Sequence, residues 1–152
     1  MKGFFCGVAA TLGAIYLIGT MVMNFGLVDV AASTQHSAVV TELFHTTAHN
    51  AISRAVNDIA VPDLTATDKE AGARIYRTEC GVCHNGPGLQ DPQFGRGLNP
   101  PAPDLTRISE HWSNAQLFWI IKHGIRMTGM PAFGGRLSDD EIWATVFVLS
   151  EL

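Results

Sequence analysis

Cys80-Gly81-Val82-Cys83-His84 occurs once in the 152 residues of this chain, just past its midpoint. Two thiols at i and i+3 near a helix end match the two vinyl groups of one haem, and the next residue brings an imidazole to the iron. The pattern is the attachment signature of a c-type haem. Two other chemistries use this cysteine spacing. A structural zinc site takes four ligands, usually as two such pairs, and the chain has no second pair. A thioredoxin-like redox pair belongs in a βαβ setting, whereas the flanks here are helical and proline-rich.

Working outward, the flanks read as three helices. Thr67, with Glu70 three positions on, is expected to cap a helix in which Gly72, Ile75 and Tyr76 run toward Cys80. Ser113 precedes a helix carrying Leu117, Phe118, Ile120 and Ile121, with Gly124 as its stop. Ser138-Asp139-Asp140-Glu141 is a capping box for a last helix whose apolar side is Ile142, Trp143, Val146, Phe147 and Leu149. Between the latter two lies Met127-Thr128-Gly129-Met130-Pro131-Ala132-Phe133.

On these residues, the stretch from about Leu64 to Leu152 resembles the class I cytochrome c family. The resemblance implies a small all-α fold wrapped round one covalent haem. It pairs Gly72 and Tyr76 on the first helix with Trp143 on the last. It makes His84 one iron ligand and a loop methionine the other. Met130, 46 residues after His84 and followed by Pro131, fits that role better than Met127, and Phe133 would cover the haem edge. The family also uses a proline-loop carbonyl to hold the axial histidine, whose second ring nitrogen needs a fixed acceptor. Within Asn99-Pro100-Pro101-Ala102-Pro103, Pro101 is the first choice and Pro103 the second. Arg96, Trp119 and Arg126 are the candidates to hold the haem propionates.

The amino-terminal part is of a different kind. Gly3 to Val28 has no charged residue in 26 positions, more than the roughly 20 that span a bilayer and longer than a signal-peptide core. The expectation is a retained anchor over residues 1–30, with its amino terminus in the cytoplasm. Gly3, Gly7, Ala9 and Gly13 give it a face on which another helix could pack closely. Cys6 reads as a lone membrane thiol. Residues 31–63 form an amphipathic stalk: Val40, Leu43, Phe44, Ala48, Ile52, Ala55, Val56 and Ile59 recur at helical spacing until Pro62. That face is expected to rest on the haem domain, residues 64–152, or on a partner. His36, His45 and His49 in this segment read as solvated or capping, and His111 and His123 as structural or solvated.

The charges fall unevenly. Asp29 to Leu152 holds all 14 acidic residues and nine of the ten basic ones, so a nucleic-acid partner is not expected. The whole chain resembles membrane-anchored monohaem cytochromes associated with larger periplasmic dehydrogenases or respiratory complexes. That resemblance implies a single-electron carrier at a bacterial inner membrane, haem side in the periplasm, acting with larger oxidoreductase subunits and a redox partner protein. It implies no substrate chemistry and no small-molecule substrate. A membrane-tethered shuttle is the alternative, and a haem enzyme or gas sensor is the third reading.

Overall fold

The computed structural model describes residues 2–86 and 92–152; Met1, where the anchor reading begins, lies outside them. The described residues contain helices and turns and no strand. The chain divides into two compact units, Met1–Thr34 and Gln35–Leu152.

The first unit is built on α1, Lys2–Phe25, which is long and apolar enough to cross a membrane. At about 1.5 Å per residue, its 24 residues run to about 36 Å, against a hydrocarbon core of about 30 Å. Three of its polar side chains bond back to the helix itself. Thr11 donates to the carbonyl of Gly7, Thr20 to that of Leu17, and Asn24 to that of Thr20.

The second unit begins with α2, Ala38–Ala55. The helix ends seven residues before Pro62, in a turn closed by Ile59 N donating to Val56 O. The apolar face read from the sequence divides in two. Ile52 is buried, Ser53 accepts from Gln116 Nε2 at 2.9 Å, and the His49 ring lies 5.1 Å from that of Trp112. The back of the helix therefore rests on the domain, while Leu43 and Phe44 toward its front stay exposed.

Short α3, Lys69–Ile75, follows. Its cap is Asp68 rather than the expected Thr67, because the Asp68 carboxylate accepts from Ala71 N at 2.9 Å. The Thr67 hydroxyl is spent on the preceding turn, donating to Leu64 O at 2.6 Å. After the single turn α4, Gln93–Arg96, come α5, Asn114–His123, and α6, Asp139–Ser150. Both open on complete capping boxes, Ser113 with Gln116 and Ser138 with Glu141.

Helices α3 and α6 cross at Gly72. A methyl group there would lie 2.2 Å from the Ala144 carbonyl oxygen, so the two backbones touch. Around the crossing, Ile142 and Val146 are fully buried and Trp143 stacks on Phe118 of α5, with ring centroids 4.1 Å apart. Tyr76, Leu105, Ile108, Leu117, Ile121, Phe133 and Leu149 complete the core. This crossing is the platform on which the two loops of the site are mounted.

Candidate haem site

The helix carrying the cysteines changes pitch just before them. Past Ile75 it widens into a π-type turn over Tyr76–Cys80, closed by Gly81 N donating to Tyr76 O at 2.8 Å. Such widened turns are frequent at functional sites. The next turn is tight: Cys83 N and His84 N both donate to Cys80 O, at 3.1 and 2.9 Å. Cys80 and Cys83 are both half-buried free thiols on this one turn.

The turn is pinned from three directions. Tyr76 Oη donates to Asn85 O at 3.0 Å, and Asn85 Nδ2 donates to Asp104 Oδ2 at 3.1 Å. A methyl group on Gly95 would lie 1.8 Å from Cys83 O, so α4 presses its backbone directly on the motif. His84 Nδ1 lies 2.8 Å from the Pro103 carbonyl oxygen. A carbonyl only accepts, so this contact places the ring proton on Nδ1 and leaves the Nε2 lone pair for a metal.

Pro103 thus takes the place expected of Pro101. Ala102 N donates to Gly95 O at 3.0 Å, which ties the preceding residues back onto α4 and presents the next carbonyl to the histidine. Asp104 is held in turn by its own side chain, which accepts from Thr106 N and Thr106 Oγ1 at 2.8 and 2.7 Å.

Met130 lies on the loop between α5 and α6. Gly124, at φ 66°, turns the chain out of α5, and a methyl group there would lie 2.7 Å from Met130 O. Phe133 N and Gly134 N then donate back to Ile121 O and Lys122 O, each at 3.0 Å. The two methionines of this loop differ sharply. Met127 has φ 61° and is 77% exposed, whereas Met130 packs against the core. Phe133, expected at the haem edge, is buried in the core, with the Arg136 guanidinium 5.2 Å from its ring centroid.

Two contacts bring the cysteine side and the methionine loop together. Leu98, at the end of α4, closes on Gly129, and Arg136 is ion-paired with Glu79, the residue before Cys80. Of the remaining candidates, Arg96 is on α4 next to Gly95, Arg126 is exposed on the methionine loop, and the half-buried Trp119 ring lies 4.9 Å from that of His123. Asn85, Asp104 and Thr128 are site-building residues that the sequence reading passed over.

The donor set fits haem c: two free thiols on one turn, an imidazole with its outer nitrogen already committed, and a thioether on a braced loop. Burial, with Glu79 and Cys83 adding to it, pushes the Cys80 thiol up to about 12. That is the opposite of the lowered thiol a redox dithiol needs. The described residues also hold no cluster of three metal-binding side chains.

The comparisons agree with this chemistry. The profile of the family described as "Cytochrome C oxidase, cbb3-type, subunit III" matches residues 67–146. Cytochrome c6 of Gracilaria tenuistipitata var. liui is 34% identical over 83 residues, 51% of this chain and 66% of that protein. Cytochrome c6 of Thermosynechococcus vestitus is 30% identical over 81 residues, 53% of this chain and 67% of that protein. The chain thus spans about two thirds of the length of these relatives. No solved structure matches it. More than half of the chain, with the attachment motif inside the matched span, belongs to this cytochrome family, and the protein is a class I c-type cytochrome of the kind that binds haem c covalently.

Proposed function

We propose that this cytochrome is a single-electron carrier tethered by α1 to a bacterial inner membrane, its haem domain in the periplasm, and that it works as a fixed subunit of a larger membrane oxidoreductase. Cys80 and Cys83 would hold the haem covalently, and His84 and Met130 its iron. When bound, haem c supplies a one-electron couple of low-spin iron. The chain's own residues do the rest. Pro103 orients the His84 imidazole and raises its basicity. Met130 as the second ligand beside His84 would favour a higher reduction potential and would leave no place on the iron for a substrate. Arg96, Trp119 and Arg126 would serve the propionates.

The observation that carries the reading is the pairing of a pre-oriented His84 with a core-packed Met130, while Met127 points to solvent. Substitution tests it. Met130→Ala should abolish the weak sulfur–iron absorption band, lower the potential and open the iron to carbon monoxide, and Met127→Ala should leave all three nearly unchanged. The reverse pattern would move the ligand to Met127. Haem that acid–acetone strips from the intact chain would overturn the covalent attachment.

The family match, whose description names an oxidase subunit, favours the fixed subunit, as does the small-residue face of α1. The tethered shuttle keeps one observation in its favour: the haem domain itself covers Ile52, leaving a smaller apolar face for a partner. Mild detergent extraction separates the two. Co-purification with a larger membrane protein in fixed stoichiometry, loosened by Gly7→Leu, supports the subunit; a monomer serving several unrelated partners supports the shuttle.

A further inference from the structure

One hydroxyl closes the loop that presents Met130. Thr128 Oγ1 donates to Ile125 O at 2.7 Å and accepts from Met130 N at 3.1 Å. Thr128 N also donates to Ile125 O, and Ile125 N to Met130 O, each at 3.3 Å. Residues 125, 128 and 130 are therefore laced by four hydrogen bonds, two of them through the Thr128 side chain. A threonine hydroxyl has one proton to give and lone pairs to receive, so it can serve both partners at once. Both bonds are partly shielded from water, which does not replace them freely.

A thioether is a neutral, weak ligand. Its residence on a metal depends on how firmly the backbone behind it is held, since each opening of the loop carries the sulfur away. The Met130 side chain has three rotatable bonds and cannot hold itself in place. Pro131 fixes one side of its backbone, and the Met130 amide on the other side is fixed by Thr128.

We propose that Thr128 is a positioning residue for the sixth ligand: its hydroxyl locks the Met130 backbone and so sets how often the sulfur leaves the iron. This role rests on the reading of Met130 as ligand. It distinguishes Thr128 from its exposed neighbours, since Met127 has no hydroxyl and Gly129 no side chain.

The test uses the full haem-loaded chain in detergent. Thr128→Val keeps the branched shape without the hydroxyl, Thr128→Ser keeps the hydroxyl without the branch, and Thr128→Ala is a smaller deletion should valine fit poorly. The readouts are the sulfur–iron band, the rate at which imidazole or cyanide binds the ferric protein, and hydrogen exchange at the Met130 amide. The valine and alanine variants should bind external ligand roughly tenfold faster, the scale set by one lost hydrogen bond. They should also show a weakened band and a faster-exchanging Met130 amide, while serine stays within about twofold of wild type on the same scale. Valine and alanine variants that match wild type in ligand binding and Met130 amide protection would overturn the proposal while Met130→Ala still removes the band. So would a serine variant as impaired as valine, since the effect would then be packing. A Met130→Ala protein that keeps the band would remove the ligand reading and this role with it.

Discussion

His84 is oriented by a carbonyl 19 residues away, and its turn is pinned by Tyr76 from the preceding helix and Asp104 from the loop beyond. Met130, by contrast, is braced chiefly by Ile125 and Thr128, within five positions of itself, and by the return of the chain onto the end of α5. Bonds that close long loops break when the fold breaks, whereas local bonds break in small openings that cost far less than global unfolding. The histidine side should therefore be as stable as the domain, and the methionine side should open first.

The largest expected effect tests the platform common to both sides. Gly72→Val would force a side chain into the Ala144 carbonyl oxygen, and because the obstacle is backbone, α3 and α6 must separate. The cost should be about 3 kcal/mol or more. In thermal unfolding, the helical signal and the sulfur–iron band should then be lost together at a lower temperature. An unchanged midpoint would mean that the crossing does not carry the two loops.

Gly124→Ala should separate the sides. The position combines φ 66° with a methyl group directed at Met130 O and Pro131 C, each 2.7 Å away. A strained residue of this kind costs about 1–3 kcal/mol. Spent on the methionine loop, that cost should deplete the sulfur–iron band well below the unfolding temperature while His84 stays ligated. Simultaneous loss of both ligands would erase the contrast.

What the sequence made legible follows the same local-versus-distant division. The haem motif, the Ser113 and Ser138 caps and the Gly124 stop are contiguous patterns, and each depends on neighbours within a few residues. The choice between Thr67 and Asp68 as cap was a matter of register, settled by which acceptor reaches Ala71 N. Pro103 could not be told from Pro101, because the choice is made by Ala102 bonding to Gly95. The covering of the back of α2 likewise depends on Trp112 and Gln116, distant in the chain. One local signal was readable and passed over. Asp-Leu-Thr occurs at 63–65 and again at 104–106, each aspartate capping its own turn and sending the intervening leucine toward the core.

That second turn gives the histidine side a pH dependence of its own. The Thr106 amide, then its hydroxyl, hold the Asp104 carboxyl below its ordinary value of 3.8, and Asn85 acts in the same sense. A group lowered on folding contributes stability that is fully present above the unfolded value and is lost as pH falls through the folded one. Acid titration from pH 5 downward should therefore loosen the turn around His84 only below about pH 4. Asp104→Asn, which retains an acceptor but no titrating group, should flatten that part of the profile, as followed by the haem Soret band. An equally steep loss in the variant would place the acid-sensitive group elsewhere.

The smallest effect is expected where the two sides meet. Arg136 and Glu79 form an ion pair that joins the residues after the methionine loop to the residue before Cys80. Their side chains are 62% and 34% exposed, so water screens them and the long arginine side chain loses freedom in making the contact. A double-mutant cycle with Glu79→Gln and Arg136→Gln, measured by the stability of the sulfur–iron band, should give a coupling of about 0.2–1 kcal/mol. It should shrink as salt is raised from 0.01 to 1 M, because the Debye length falls from about 30 to about 3 Å. The arginine should keep part of its effect in high salt, since its guanidinium also lies over the buried Phe133 ring and loses that contact in Arg136→Gln. A coupling well above 1 kcal/mol that ignores salt would show a different protein: one in which the methionine loop, like the histidine turn, is held by a distant and desolvated bond, so that the two sides open only together.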